Sequence, residues 1–116
     1  MEKTIKIGEK EYRLLSSVYA IIEYRIVFGT ELFDDLEKLN EFEHKKSKNY
    51  SVLIDNIFRI IYVLHKPFCN ISYKEFMMSL DFTIISDAEV LQVIFTTIGE
   101  MLVSIKSGSA PSPQFK

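Results

Sequence analysis

Tyr12-Arg13-Leu14-Leu15-Ser16-Ser17 runs directly into Val18-Tyr19-Ala20-Ile21-Ile22-Glu23-Tyr24-Arg25-Ile26-Val27-Phe28-Gly29, and this stretch decides the fold. Upstream of it, Ile5 and Ile7 alternate with polar residues, Gly8-Glu9-Lys10 breaks the run, and Tyr12 and Leu14 resume the alternation. That pattern predicts an N-terminal β-hairpin over about residues 4–14. Two strands alone are marginal in water, so the ribbon must lie on helices or pair with another chain through an edge. Ser16 or Ser17 is the expected N-cap of the following helix, because a hydroxyl there accepts from the free amides of the first turn. Gly29 is its expected stop, since glycine enters the left-handed region without steric cost. The first helix therefore spans Val18 to Phe28. Val18, Ile22 and Ile26 share one face, whereas Ala20, Ile21, Val27 and Phe28 occupy others. A helix apolar all round is a core helix or one contacted from two sides.

Further along, Thr30 is the expected cap of a second helix. Leu32, Phe33, Leu36, Leu39 and Phe42 form one half of its wheel, and Asp34, Asp35, Glu37, Lys38 and Glu41 form an acidic outer half. From Thr30 to Glu43 six acids oppose one lysine, and Lys45-Lys46-Ser47-Lys48 follows as a basic loop. A third helix over 51–66, with Leu53, Ile54, Ile57, Phe58, Ile60, Ile61 and Leu64, leaves a narrow polar stripe of Asp55, Asn56 and Arg59 and reads as the central helix. Pro67 ends it. Ser72-Tyr73-Lys74-Glu75 and Ser86-Asp87-Ala88-Glu89 read as capping boxes opening a short fourth helix, with Tyr73, Phe76, Met77 and Leu80, and a long fifth one. The fifth carries Val90, Leu91, Ile94, Phe95, Ile98, Met101, Leu102 and Ile105 on one face and Thr96, Thr97 and Glu100 opposite. The expectation is a mainly α fold, a single helical domain of about five helices over 1–106 with a short N-terminal hairpin. The Ser-Gly-Ser-Ala-Pro-Ser-Pro run places a disordered tail over 107–116.

Composition narrows the function. The chain has 116 residues, 47% hydrophobic and 13% aromatic with nine Phe, six Tyr and no Trp, which suffices for one core and leaves apolar area for a partner. A net charge of −2 supplies no long-range attraction for nucleic acid or anionic lipid. Cys69 stands alone and the N-terminus lacks a signal-type apolar region, so the compartment expected is the cytoplasm. Val90 to Gly99, the longest uncharged apolar run of the fifth helix, is far below the roughly 20 residues that span a bilayer.

No constellation for chemistry emerges. Glu41-x-x-His44 has the spacing of a di-iron helical ligand pair but lacks a second copy, and reads as a surface pair. His65 and Cys69 straddle Pro67 and define no shared face. Asp34, Asp35, Asp81 and Asp87 sit at helix starts or on a polar face, where capping and the helix dipole explain them. A phosphate loop, a nucleophile elbow and zinc spacing are absent from the sequence, as is a basic recognition helix. Neither enzyme activity, cofactor, metal nor small-molecule substrate is expected.

The hairpin of Gly8 to Leu14, the Tyr24-Arg25 pair, the Phe28-Gly29 stop, Leu32 and Leu36, and Tyr73-x-x-Phe76-Met77 before a long last helix resemble the tail assembly chaperones of long-tailed bacteriophages. The chain departs from that pattern in lacking the tryptophan common near the fourth helix. The resemblance implies a protein that binds the tape measure protein, a long and partly apolar helical chain, and keeps it soluble in the bacterial cytoplasm until tube subunits polymerise around it. It also implies that a frameshifted product can continue from the 107–116 segment. An amphipathic client helix needs an apolar groove, for which Val18, Ile22 and Ile26 of the first helix, or Val93 and Val103 on the flank of the fifth, are the candidate contacts. The alternative is a small structural subunit that self-associates through its apolar helix faces.

Overall fold

The computed structural model describes the backbone of residues 1–45 and 50–103 and the side chains of 1–39 and 53–102. The side chains of Glu41, Phe42, His44 and Lys45, residues Lys46, Ser47 and Lys48, Ile105 and the 107–116 tail are outside these bounds.

The protein is mainly helical, with a two-stranded antiparallel N-terminal hairpin. Strands β1 (Glu2–Ile7) and β2 (Lys10–Leu15) are followed by helices α1 (Val18–Phe28), α2 (Leu32–Lys45), α3 (Tyr50–His65), α4 (Tyr73–Met78) and α5 (Ala88–Ile98). Single 3-10 turns at Lys66–Phe68 and Phe82–Ser86 link the later helices, and a π-type turn at Gly99–Val103 extends α5. Among the described residues no helix is long and apolar enough to cross a membrane.

The hairpin extends beyond the expected 4–14 at both ends, and Lys10 belongs to β2 rather than to the turn. Ile7 faces Lys10 across a two-residue loop in which Gly8 has φ 68°. A two-residue hairpin turn demands that sign at its first central position. Ile5, Ile7, Tyr12 and Leu14 all point inward and are buried. That face packs on α3 beneath β2 and on α5 beneath β1.

Helix α3 is the central element. Ile57, Phe58 and Ile60 to Leu64 are all buried, so over the five residues from Ile60 to Leu64 the helix is enclosed on every side, with Arg59 before them half-buried. The polar stripe is narrower than expected, because Asn56 is buried as well. Pro67 falls inside the 3-10 turn that closes the helix, where its missing N–H costs nothing.

Several caps differ from expectation. Ser17 occupies the N-cap of α1 in an extended conformation, yet its hydroxyl makes no capping bond and is buried without a partner. Ser16 Oγ donates instead to Met1 O at 3.3 Å. Thr30 does not cap α2; its hydroxyl donates to Asp35 Oδ2 at 2.8 Å. At α5 the cap is Asp87, accepting from Glu89 N at 3.0 Å, while Ser86 Oγ donates back to Thr83 O. The box at α4 forms as expected, with Ser72 Oγ accepting from Glu75 N and the Glu75 carboxylate accepting from Ser72 N, both at 3.1 Å. Gly29 ends α1 in the left-handed region at φ 76°. Gly99 keeps right-handed helical angles, so α5 passes through it and widens rather than running on regularly. On α5 Thr97, placed on the polar side by the wheel, is buried.

Candidate functional site

Helix α1 turns only a narrow strip inward. Ala20 and Tyr24 are buried and Ile21 and Phe28 are half-buried, whereas Val18, Tyr19, Ile22, Ile26 and Val27 are exposed. At 100 degrees per residue, Val18, Ile22, Ile26 and Tyr19 fall within about 100 degrees of one another. Val18 and Ile26 are 74% and 70% exposed, so the strip between them is an open apolar ridge. The core-helix expectation for α1 therefore holds for one face alone.

An aromatic stack holds this ridge in place. The Tyr24 and Phe28 rings are 4.9 Å apart, and Phe28 meets Tyr73 edge-on at 4.9 Å. Tyr62 joins Tyr73 at 5.4 Å and Phe76 at 5.6 Å, and Phe76 reaches Tyr12 of the hairpin at 5.9 Å. These edge-on and tilted contacts link α1, α3, α4 and β2 through rigid rings. Arg59 lies over Phe28 at 4.8 Å and bonds Asp55 at 3.0 Å, one turn back on α3. Burial works against the Arg59 charge, and Asp55 beside it outweighs that and keeps the guanidinium protonated.

Polar anchoring occurs at three further points. Tyr24 donates its phenol to Asp35 Oδ2 at 2.6 Å, and Lys38 approaches Oδ1 of the same carboxylate at 3.6 Å. Asp35 is thus a buried acceptor and not part of the solvated acidic face expected of α2. Burial, with Asp35 adding to it, pushes the Tyr24 phenol far above its ordinary value. Tyr73 is raised in the same way, by burial and then by its bond to Asp55 Oδ1 at 2.8 Å. At the other side of α1, Glu23 pairs with Lys66, an ion pair largely withdrawn from solvent. That hydrogen bond, ahead of other causes, raises the Lys66 ammonium.

Of the candidate contacts, Val18, Ile22 and Ile26 are brought together on the α1 ridge. Val93 on α5 is 44% exposed, and the Val103 side chain lies outside the described residues. Tyr19 extends the ridge and escaped the sequence reading, although the i, i+3 spacing of Tyr19 and Ile22 signals it, while Val27 is exposed on the flank beyond Glu23. Met78 and Phe82, 75% and 81% exposed at the end of α4 and the start of the next turn, also escaped it. Arg25 stands beside the ridge, 3.9 Å from Glu31.

The residues considered for chemistry are engaged in structure. His65 Nδ1 sits 2.8 Å from Arg13 O and its ring contacts Tyr12 at 5.1 Å. Cys69 is half-buried. Asp81 and Asp87 each cap a turn, and the Asp81 carboxyl is held low by the Thr83 backbone amide. Among the described residues, no three His, Cys, Asp or Glu side chains gather as metal ligands. Comparison with known proteins returns no match to the chain among family models, curated proteins or solved structures.

Proposed function

We propose that the chain is a helix-binding chaperone and that its client is the tape measure protein implied by the sequence resemblance, held soluble in the bacterial cytoplasm during tail assembly. The observation that carries this reading is the α1 ridge, an open apolar strip on a helix whose opposite side is locked into the core. Val18, Ile22 and Ile26 present anchors at i, i+4 and i+8, spread over about 12 Å at 1.5 Å per residue. That spacing meshes with the apolar seam of an amphipathic helix laid alongside. Scattered aliphatic contacts suit a client that must be released, because no single deep aromatic pocket dominates the contact.

The test is co-expression with the long helical protein encoded nearby, followed by pull-down of the complex. Soluble recovery of a client that precipitates alone supports the chaperone. Ile22→Asp and Ile26→Asp should each abolish or strongly reduce that recovery. Full capture by both variants would exclude α1 as the contact, and an assembly larger than a dimer with no capture would favour the structural subunit instead.

A further inference from the structure

The two edges of the hairpin are in different states. Ile7 and Lys10 flank consecutive loop residues, so they must exchange hydrogen bonds with each other directly, and the antiparallel register makes Ile5 with Tyr12 and Lys3 with Leu14 bond in the same way. The bond from Ser16 N to Met1 O at 2.9 Å continues that series. The main-chain groups of Glu2, Thr4 and Lys6 consequently point away from β2. All three residues are exposed, and among the described residues nothing bonds their main-chain groups. On the far side, the edge of β2 is covered: Arg13 O is engaged by His65, and Phe68 lies beneath the Arg13 guanidinium at 4.2 Å.

We propose that β1 pairs antiparallel with β1 of a second copy about a twofold axis at Thr4, joining two hairpins into one four-stranded sheet. The charges select this partner and this register. With Thr4 facing Thr4 of the second copy, Glu2 faces Lys6 of the second copy, and Lys6 faces its Glu2. About six main-chain hydrogen bonds form, two for each directly facing pair of this kind. Each outer row then alternates in sign across three strands and closes on a diagonal ion pair at the fourth, where Leu15 stands opposite Glu2. Glu11 faces Lys6 within one hairpin, Lys6 faces Glu2 of the second copy, and that Glu2 is held by its own Arg13, as Arg13 Nη2 holds Glu2 Oε2 here at 2.7 Å. A slip of two residues in one direction brings the two Lys6 side chains diagonal to each other, and in the other direction the two Glu2 side chains. Either slip also shortens the ladder. A lysine on an edge strand normally deters pairing, and here it fixes the register because an acid stands four residues before it. This inference is independent of the client reading, since it is carried by β1 and not by α1.

The test is sedimentation velocity of the full chain over a concentration series, together with amide hydrogen exchange. The expected result is a reversible dimer in which the Thr4 and Lys6 amides become protected as concentration rises. Lys6→Glu and Glu2→Lys should each weaken association about tenfold or more, since two attractive cross-strand pairs become repulsive. An equimolar mixture of those two variants should recover the dimer, because one copy then carries acids at both positions and the other carries lysines. Thr4→Pro removes the central outward N–H at a position where an edge strand tolerates proline, and should yield a folded monomer by circular dichroism. A wild-type chain that stays monomeric throughout overturns the proposal. So does a dimer that persists in Thr4→Pro, or protection of Thr4 and Lys6 that is independent of concentration or appears only with a client.

Discussion

Helices α1 and α3 are built from the same kind of sequence and end in opposite environments. Both are rich in Ile, Val, Phe and Tyr, yet α3 buries every side chain from Ile60 to Leu64 while α1 buries Ala20 and Tyr24 alone. The difference lies in what surrounds them. α3 is covered by β2, α1, α2, α4 and α5, whereas α1 packs mainly on α2 and α3, reaches α4 through Phe28 and Tyr73 and the 3-10 turn through Glu23 and Lys66, and leaves its Val18–Ile26 side open among the described residues. Apolar composition therefore tells that a helix wants two contacts, and only the packing tells which contact the fold has already supplied.

An identical substitution in the two helices breaks the comparison most forcefully. Ile60→Asp places an unpaired charge where the isoleucine is wholly buried, and the expected outcome is loss of cooperative unfolding at room temperature. Such burial is among the few changes that exceed about 4 kcal/mol, comparable to the whole stability of a domain this size. Circular dichroism during urea titration reads it directly, and a folded Ile60→Asp chain would mean that α3 is not the centre of the core.

The next effect is on the anchor that fixes α1 against α2. Tyr24→Phe keeps the ring against Phe28 and removes the phenol from Asp35, a buried carboxylate left with Thr30 and Lys38. Loss of one such bond to a charged, buried acceptor costs about 1.5–3 kcal/mol. A shift in the urea midpoint smaller than Phe replacement at an exposed tyrosine such as Tyr19 would show that Asp35 finds other donors. The same anchor predicts the pH response. Tyr24 and Tyr73 are both raised in the folded state, by burial first and a carboxylate second. A group raised on folding stabilises fully below its unfolded value, so stability is complete at neutral pH and falls once pH exceeds the ordinary phenol value of 10.0. Thermal melts from pH 8 to 11 check it, and Tyr24→Phe should flatten the alkaline fall.

How far these features were legible follows from how local their causes are. The capping box of Ser72 and Glu75 involves neighbours three residues apart and reads correctly from the letters alone, as does the Gly29 stop. The burial of Asp35 does not, because its partner Tyr24 sits on another helix and an acid at the start of a helix already has a sufficient local explanation. Ser86 and Asp87 are adjacent residues that both cap well, and the preceding 3-10 turn, itself capped by Asp81, decides between them. Thr97, set on the polar side of α5, lies only about 20 degrees from Val90 at 100 degrees per residue, on the border of the apolar arc, and the packing decides that it is buried. On the ridge, Val18, Ile22 and Ile26 were singled out by spacing. Tyr19 was not, since its exposure depends on which flank of α1 the aromatic stack faces.

The smallest effect on stability carries the most functional content. Ile26 is 70% exposed in the last turn of α1, so Ile26→Asp removes little packing. Its cost is the poorer helix propensity of aspartate and a negative charge near a helix C-terminus, together about 1 kcal/mol. The urea midpoint should thus move slightly in Ile26→Asp and collapse in Ile60→Asp, although residue and replacement are the same. Were both to unfold the chain, the ridge would be part of the core and no face for a partner. With Ile26→Asp folded, any loss of client capture is assigned to the ridge itself, because the aromatic stack that positions α1 is untouched.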